Sequence, residues 1–275
     1  MNGNSKYPFI YIAGIRRTGS TLLSEVLTSL PYAFIFREPH IGKNTFRVKP
    51  DDVHRFATYG FDLQAFLRYR LIFAFLLRRL RFFAFPQDYM VRQFKYELVP
   101  QLAKTVLQWG VKEIDNRGWQ HYYRHFPEMK VIITARDPRD IYISFYYHWR
   151  KRTRRDEREI SPENVAMDIN RQFQIQREIA DVAESYAVRY EDLCTNPDMV
   201  KDIMKFVQSP LTLPGQVGAF NLLHPHRRDE YEVHAGRITT KRIARWQREE
   251  DTTLVARAQR VFDLMPEYCA HWGYT

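Results

Sequence analysis

Residues 8–30 constrain the fold of this chain more than any other stretch. Residues 9–13 form an uncharged run rich in β-forming side chains, which predicts a strand buried on both faces. From Leu22 onward the apolar residues recur at helical spacing: Leu22, Leu23, Val26, Leu27 and Leu30. Between strand and helix lies the turn Gly-Ile-Arg-Arg-Thr-Gly-Ser-Thr, residues 14–21. A strand, a glycine-rich turn and a helix aim backbone N–H groups at one point, so we predict that this loop binds a phosphate.

The loop departs from the ATP-binding pattern in one informative way. The spacing of its glycines and of Thr21 matches G-x-x-x-x-G-K-[ST], but Ser20 stands where that pattern has lysine. The loop instead carries Arg17, with Arg16 beside it. A guanidinium group binds two oxyanions in a fork geometry that an ammonium group lacks. The missing lysine argues against ordinary ATP hydrolysis.

The composition predicts one large domain with a polyanionic partner. The chain has 275 residues, 45% of them hydrophobic, so we expect residues 1–275 to form a single α/β domain with a substantial core. The formal net charge of +10 favours a nucleotide, an acidic polysaccharide, an anionic membrane or nucleic acid as partner. Cys194 and Cys269 lie far apart, which argues against a disulfide framework and fits a reducing compartment. The first strand begins by residue 8, which leaves no room for a signal peptide, and we expect a cytoplasmic protein.

Short apolar segments alternate with helical ones along the chain, which predicts a mostly parallel sheet covered by helices on both faces. The predicted strands lie near residues 8–14, 32–36, 110–114, 130–135 and 186–190. Ligands of such sheets bind outside the carboxyl ends of the strands, where the loop at 14–21 falls.

Glu38 follows the second predicted strand and has two interpretations. At the carboxyl end of that strand it faces the same crevice as Arg17; alternatively, it is a surface carboxylate paired with Arg37. The residues alone favour neither.

Residues 45–105 are expected to be helical and to cover an acceptor cleft. Their most apolar stretch, residues 61–85, has no uncharged run longer than residues 71–77, far short of the roughly 20 residues that a membrane span requires. Its arginines fall on opposite helical faces, so peripheral membrane contact is not favoured. His121 and His125 are one helical turn apart, but no third ligand accompanies them and we predict no metal site.

A second anion site is predicted after the fourth strand. Arg136 follows a buried run, Pro138 suits a first helical turn, and Ser144 lies about two turns into that helix. Arg136 and Ser144 are placed to share an anion; alternatively, Arg136 forms a structural ion pair with Asp137. Two anion sites in one crevice suit a nucleotide that carries phosphates at both ends.

These motifs together resemble the PAPS-dependent sulfotransferases, whose donor is 3′-phosphoadenosine 5′-phosphosulfate. Residues 17–21 resemble their 5′-phosphosulfate loop, and Arg136 with Ser144 resembles their 3′-phosphate motif. Residues 189–193 are similar to their strand-end Tyr-Glu-Asp, in which the tyrosine borders the adenine, and residues 236–246 to their late basic loop. The C-terminal residues 264–274 also resemble bacterial members. The family has a three-layer, P-loop NTPase-like α/β fold, which the resemblance implies here.

The resemblance implies roles for particular residues. The pattern is closest to the tyrosylprotein sulfotransferases, which have arginine in the loop and a glutamate base 21 residues later, the position of Glu38. The implied catalytic residues are Glu38, Arg17 and Lys112. The implied donor-binding residues are Arg16, Arg17, Thr18, Gly19, Ser20, Thr21, Leu22, Arg136, Ser144, Tyr190, Arg237 and Arg245.

The implied reaction moves a sulfuryl group from PAPS to a hydroxyl acceptor without a metal. The acceptor is a small molecule, glycan, lipid or peptide and not a nucleic acid, and the protein is a monomer or homodimer. Two rival functions remain at this stage: a P-loop nucleotide or small-molecule kinase, and a basic nucleic-acid-binding protein. The kinase requires a cation at position 20, and nucleic-acid binding does not account for the ordered motifs.

Overall fold

The sheet is parallel throughout, with the first strand at its centre. The computed structural model describes residues 6–30, 32–43, 45–48, 50–57, 62–65, 68, 88–102, 106–152, 160–196, 198–214 and 238–275. The strands within them are β1 Ile10–Ala13, β2 Ala33–Arg37, β3 Gln108–Glu113, β4 Lys130–Ala135 and β5 Ser185–Arg189. Their order is β2-β3-β1-β4-β5, and every neighbouring pair is parallel. All five predicted strands are confirmed.

Helices connect and cover these strands. In chain order they are α1 Ser20–Val26, α2 Pro50–Ala57, α3 Tyr89–Gln93, α4 Val99–Leu102, α5 Trp119–His125, α6 Pro138–Arg152, α7 Pro162–Val182, α8 Tyr190–Thr195, α9 Met199–Phe206, α10 Thr252–Asp263 and α11 Pro266–Trp272. A π-helical turn, Phe94–Leu98, joins α3 to α4. Short 3-10 turns lie at Ile41–Lys43 and Arg245–Arg248.

Apolar side chains project from both faces of the sheet, so the described residues form two cores and three layers. On one face, Ile10 and Ile12 of β1 pack with α1, α8 and α9. On the other face, Tyr11 and Ala13 pack with α5, α6, α7, α10 and α11. Successive strand residues point to opposite faces, and the uncharged run at 9–13 serves both cores for that reason. The predicted α/β fold is confirmed.

The helix boundaries differ from the sequence pattern in detail. The first helix begins at Ser20, two residues before the apolar repeat, and ends at Val26, before Leu30. Of the predicted helical segment 45–105, helices α2, α3 and α4 are described; residues 69–87, with the run 71–77, lie outside the described residues. None of the described helices has both the length and the apolar character that crossing a bilayer requires.

The sheet brings the carboxyl ends of neighbouring strands to one edge. Ala13 of β1 lies opposite Glu113 of β3 on one side and Ile133 of β4 on the other, and Arg37 of β2 lies opposite Lys112. The chain builds β2 and β3 to one side of β1, and β4 and β5 to the other. Such a change of direction opens a crevice at the strand ends.

Candidate functional site

The loop between β1 and α1 turns sharply and is pressed against the start of α8. Arg17 and Gly19 have positive φ angles of 69° and 80°, and α1 begins directly afterwards at Ser20. A Cβ added to Gly19 would stand 2.4 Å from ring carbon Cδ2 of Tyr190. A side chain at this position would therefore meet both an unfavourable backbone and the ring, so glycine is required.

Buried polar groups fix this loop to the sheet. The Thr18 hydroxyl donates to the Ile15 carbonyl (2.7 Å) and lies 2.6 Å from the Thr134 hydroxyl of β4. The Asn116 side-chain amide donates to the Gly14 carbonyl (2.9 Å). These contacts fix the start and the middle of the loop to the sheet.

The remaining predicted loop residues point in different directions. Arg16 and Thr21 are exposed, whereas Ser20 is buried at the first position of α1. The Leu22 side chain belongs to the core beneath α1. Leu22 can therefore face the loop only through its backbone N–H, which is one of the groups that a helix leaves without an internal partner at its N-terminus.

Arg17, Ser144 and Arg136 meet in the structure although they are distant in the chain. Nε of Arg17 donates to Oγ of Ser144 in α6 (2.9 Å). Nη1 of Arg136, directly after β4, donates to the Arg17 carbonyl (3.3 Å). The two anion sites that the sequence predicts are therefore adjacent.

The Arg136 guanidinium lies in a buried polar cage. It stacks on the Tyr190 ring at 4.3 Å, and Nη2 donates to Oδ2 of Asp140 (3.2 Å) and to the Arg242 carbonyl. Burial raises the pKa of the Asp140 carboxyl, and the Arg136 charge works in the opposite direction. Nε of Arg136 is buried and has no hydrogen-bond partner among the described residues. That N–H group is a donor within this cage for which the described chain supplies no acceptor.

The alternative interpretation of Arg136 as the partner of Asp137 is wrong. Asp137 pairs instead with Arg139 (2.7 Å), and Arg136 pairs with Asp140 (3.2 Å). Arg136 precedes α6, and Asp140 lies in the first turn of that helix. The carboxylate at 140 therefore reaches back to Arg136, whereas the one at 137 does not.

The late segment lies on α6 beside this cage. The Trp246 backbone N–H donates to Oδ1 of Asp140 (3.0 Å), and the Arg245 guanidinium stacks on the Tyr147 ring at 4.3 Å. Arg245, predicted to contact the donor, thus packs against α6, the helix that carries Ser144. Arg237 lies outside the described residues.

Glu38 lies at the carboxyl edge of the sheet and pairs with Lys112. The Lys112 Nζ is 2.5 Å from Oε1 of Glu38, and the Glu38 N–H donates to the Lys112 carbonyl (2.6 Å). The lysine side chain is 1% exposed and the glutamate side chain 24%, so the pair has one buried and one open end. Arg37, the partner in the alternative interpretation, lies 3.8 Å from Glu25 and 3.6 Å from Asp52.

A buried carboxylate, Glu113, holds the segment that carries Glu38. It accepts hydrogen bonds from the His40 backbone N–H (2.8 Å) and the Tyr122 hydroxyl (2.9 Å), and its Oε2 lies 3.0 Å from Nδ1 of His40. Glu38 and His40 both have a φ of 55°, an uncommon conformation for these residue types. The Glu113 contacts help to stabilise that backbone.

The two histidines of α5 have no metal-binding arrangement among the described residues. Nε2 of His125 contacts Oδ2 of Asp88 (2.8 Å), and burial lowers the pKa of His121. Within the part of the chain that the structure describes, no group of three or more His, Cys, Asp or Glu side chains is placed to hold a metal ion.

Sequence reasoning missed several residues that build this site. Asn116 and Glu113 support the two loops, Asp140 pairs with Arg136, and the Tyr268 hydroxyl donates to the Arg136 carbonyl (2.9 Å). The partners of Asn116, Glu113 and Tyr268 are remote in the chain, so no local pattern marks these three residues. Only Asp140 carried a sequence signal, its position four residues after Arg136 at the start of a predicted helix.

Comparison with known proteins identifies the family. The family model described as "Sulfotransferase family" matches residues 8–212, more than half of the 275-residue chain. The chain belongs to the sulfotransferase family. This confirms, at the level of the family, the resemblance predicted from the motifs. Among curated proteins, none matches the sequence.

Solved sulfotransferase structures resemble the chain over almost its whole length. The sulfotransferase domain of the curacin biosynthetic pathway has a TM-score of 0.58 and 15% identity, and 98% of each chain is covered. A sulfotransferase from Alicyclobacillus acidocaldarius has a TM-score of 0.46 and 17% identity, covering 94% of this chain and 96% of the other. One from Mycobacterium avium has a TM-score of 0.48 and 14% identity, with 97% and 77% covered. At these identities the curacin-pathway domain supports a shared fold and nothing finer.

Proposed function

We propose that this sulfotransferase moves a sulfuryl group from PAPS to a hydroxyl acceptor, with Glu38 as the general base. The observation that carries the proposal is the position of three cationic side chains. Lys112, Arg17 and Arg136 lie at the carboxyl ends of β3, β1 and β4, which are three adjacent strands. A nucleotide that carries both a phosphosulfate and a second phosphate matches this row of charges.

The buried groups fit such a donor. Nε of Arg136 is a buried donor without a partner among the described residues, and a buried N–H normally has an acceptor. We assign the 3′-phosphate to Arg136 and Ser144, with Arg245 and Arg237 from the late segment, and the adenine to the neighbourhood of Tyr190. We assign the 5′-phosphosulfate to the loop residues Arg16, Arg17, Thr18, Gly19, Ser20, Thr21 and Leu22.

The donor supplies an activated sulfuryl group, whose bond to the bridging phosphate oxygen breaks as a bond to the acceptor oxygen forms. Negative charge grows on the bridging oxygen, so fixed positive charge there lowers the barrier more than it stabilises the ground state. Arg17 and Lys112 supply that charge. No divalent metal is required, because the sulfuryl group carries less charge than a phosphoryl group.

Glu38 accepts the proton that the acceptor hydroxyl loses. An ionised carboxylate has about four lone-pair positions, so the pair with Lys112 is compatible with a further hydrogen bond from the acceptor. The open side of Glu38 is the side from which an acceptor enters. The combination of Arg17 with a glutamate 21 residues later resembles the tyrosylprotein type, and the acceptor is a small molecule, glycan, lipid or peptide rather than a nucleic acid.

Nucleotide binding tests the donor. Isothermal titration compares adenosine 3′,5′-bisphosphate, 5′-AMP and ATP with Mg²⁺, and the bisphosphate is expected to bind most tightly. Arg136→Ala should weaken the bisphosphate roughly ten- to a hundredfold and leave 5′-AMP nearly unchanged, because a charge-assisted contact to phosphate contributes about 1.5–3 kcal/mol. Equal losses for both nucleotides, or a preference for ATP with Mg²⁺, would contradict the donor assignment.

Two further variants control this experiment. Arg136→Ala leaves the buried Asp140 without its cationic partner and destabilises the fold, so Ser144→Ala provides a milder test of the same phosphate site. It should weaken the bisphosphate about fivefold, the equivalent of one hydrogen bond of about 1 kcal/mol. Arg260→Ala removes an arginine that forms an exposed pair with Glu163 and should leave nucleotide binding unchanged.

A further inference from the structure

The C-terminal residues 266–275, which comprise helix α11 and three further residues, contact the strand end that carries Arg136. The Tyr268 side chain is fully buried, and its hydroxyl donates to the Arg136 carbonyl (2.9 Å) and accepts from the Arg136 backbone N–H (3.1 Å). The register of β4 with β5 ends at Ala135, and α6 begins at Pro138. One tyrosine hydroxyl therefore holds both backbone groups of a residue that lies between strand and helix.

A second tyrosine of the same segment acts on the next residue through a carboxylate. The Tyr274 hydroxyl donates to Oε2 of Glu191 (2.9 Å), and Oε1 of Glu191 accepts from the Asp137 backbone N–H (3.0 Å). Glu191 directly follows Tyr190 in the chain, and Asp137 directly follows Arg136. This carboxylate thus joins the two residues that follow the proposed donor-binding side chains, and Tyr274 fixes one of its oxygens.

The segment itself is anchored to the rest of the fold. Gly273 has a φ of 68°, a conformation that favours glycine, and the chain turns there at the end of α11. The Tyr274 ring stacks on the Tyr268 ring, with centroids 6.0 Å apart and planes 16° from parallel. Nη2 of Arg139 in α6 donates to the Thr275 carbonyl (2.8 Å). The two tyrosines therefore hold fixed positions relative to each other and to α6.

These contacts matter for a nucleotide because two of its groups are bound at the same time. The Arg136 guanidinium stacks on the Tyr190 ring at 4.3 Å, so the proposed contacts to the 3′-phosphate and to the adenine are neighbours. Charge-assisted N–H···O hydrogen bonds have lengths of about 2.7–2.9 Å, and a guanidinium displaced by about 1 Å no longer forms one. The backbone position of residues 136–137 relative to Tyr190 therefore decides whether both contacts form together.

We propose that Tyr268 and Tyr274 are positioning residues: by holding residues 136–137 against Tyr190, they set the preference for a nucleotide with a 3′-phosphate over one without it. The inference rests on the proposed function and deepens it. Both hydroxyls bind protein groups, so the tyrosines act through Arg136 and not by contact with the donor. A tyrosine with a merely structural role contributes to stability and leaves this preference unchanged.

Conservative variants test the inference. Tyr268→Phe and Tyr274→Phe each remove one hydroxyl and keep the ring. Tyr142→Phe is the matched control, because Tyr142 is also fully buried and its hydroxyl donates to the Ile160 carbonyl (2.9 Å). Isothermal titration gives the Kd of 5′-AMP and that of adenosine 3′,5′-bisphosphate. Their ratio isolates the 3′-phosphate, since both nucleotides carry the adenine. It should fall roughly fivefold in Tyr268→Phe and in Tyr274→Phe and stay unchanged in Tyr142→Phe.

The same titrations contain the results that would overturn the inference. A native ratio of the two Kd values in folded Tyr268→Phe and Tyr274→Phe overturns it. An equal fall of the ratio in Tyr142→Phe also overturns it, because loss of any buried hydroxyl would then disturb the site. If Tyr268→Phe does not fold, Tyr274→Phe decides alone.

Hydrogen–deuterium exchange tests the tyrosine contact without a nucleotide. In Tyr268→Phe the Arg136 backbone N–H loses its acceptor, so this amide should exchange roughly tenfold faster than in the native protein and at the native rate in Tyr142→Phe. Native exchange in Tyr268→Phe overturns the inference.

The outcomes separate this inference from the proposed function. If the native protein binds the bisphosphate no more tightly than 5′-AMP, the donor assignment is wrong, and the role of the tyrosines in selectivity falls with it, even when the exchange of the Arg136 amide changes as expected. If the native protein prefers the bisphosphate and the two tyrosine variants keep that preference, only the positioning role is wrong.

Discussion

Replacing Glu113 tests how the segment that carries Glu38 is held in place. The Glu113 side chain is 2% exposed and accepts hydrogen bonds from the His40 N–H and the Tyr122 hydroxyl. In Glu113→Leu both donors lose their acceptor while the packing volume is largely kept. Each buried donor left without a partner costs about 1–3 kcal/mol, so the free energy of unfolding should fall by about 2–6 kcal/mol for the two.

One effect limits this loss. Leucine removes the cost of keeping a carboxylate buried, which moves the expected value toward the lower end of the range. The Tyr122 contribution can be separated, because Tyr122→Phe keeps the ring and removes only the hydroxyl. In a Tyr122→Phe background, the Glu113→Leu change leaves only the His40 N–H without an acceptor. It should therefore lower the free energy of unfolding by about 1–3 kcal/mol less than in the native background.

The assay is urea unfolding followed by circular dichroism for the native protein, the two single variants and the double variant. The m-values should agree among the four proteins, so that midpoints report stability and not a change in compactness. The sum of the two single-variant losses in the free energy of unfolding should exceed the loss measured for the double variant. Additive losses within about 0.5 kcal/mol would refute the reasoning, since they would mean that the two groups do not depend on each other.

The same variants report on function. Because Glu38 and His40 both have positive φ, release of the His40 N–H should let this backbone relax and move the carboxylate. Turnover should then fall in Glu113→Leu while affinity for adenosine 3′,5′-bisphosphate stays close to native. Equal losses of turnover and nucleotide affinity would instead indicate general disruption of the site.

Four further predictions concern the loop, the base, metal dependence and pH. Gly19→Ala should abolish measurable bisphosphate binding, because the added Cβ meets a ring carbon at 2.4 Å, and retained affinity in titration calorimetry would contradict this. Glu38→Gln should lower kcat by about 10²–10⁴ with nucleotide affinity kept, and a native kcat would place the base elsewhere. Turnover should continue in EDTA. If EDTA abolishes activity and Mg²⁺ restores it, the kinase alternative is favoured. Burial raises the pKa of Asp115, but hydrogen bonds from Arg117 and Lys43 outweigh it and hold that pKa well below 3.8. Asp115 therefore stabilises the fold above pH 3.8. Urea unfolding should show that Asp115→Asn has a lower free energy of unfolding than the native protein at neutral pH, and that this difference shrinks as the pH falls below 3.8.

The linear pattern determined the sheet and the principal loop. The uncharged run at 9–13 requires burial on both faces, and a strand at the centre of a covered parallel sheet provides it. Gly19 marked the turn, because a left-handed backbone conformation favours glycine. Such signals are readable because backbone preference and side-chain periodicity act over a few neighbouring residues.

The sequence also indicated which charged residues lie at the edge of the sheet, but not how they pair. Glu38 had two equal interpretations, and its pairing with Lys112 of β3 became visible only in the structure. Arg136 was placed correctly after β4, yet its partner is Asp140 and not Asp137. Pairing depends on distances of a few ångströms between side chains from different elements, and no linear spacing contains them.

Tertiary structure alone decided the supports of the site. Asn116 reaches the Gly14 carbonyl, Glu113 holds His40, and Tyr268 holds the backbone of Arg136. In the sequence these are ordinary polar residues without a motif. Their role arises from the packing of helices on the sheet, because a buried polar group is defined by what surrounds it in space and not by its neighbours along the chain.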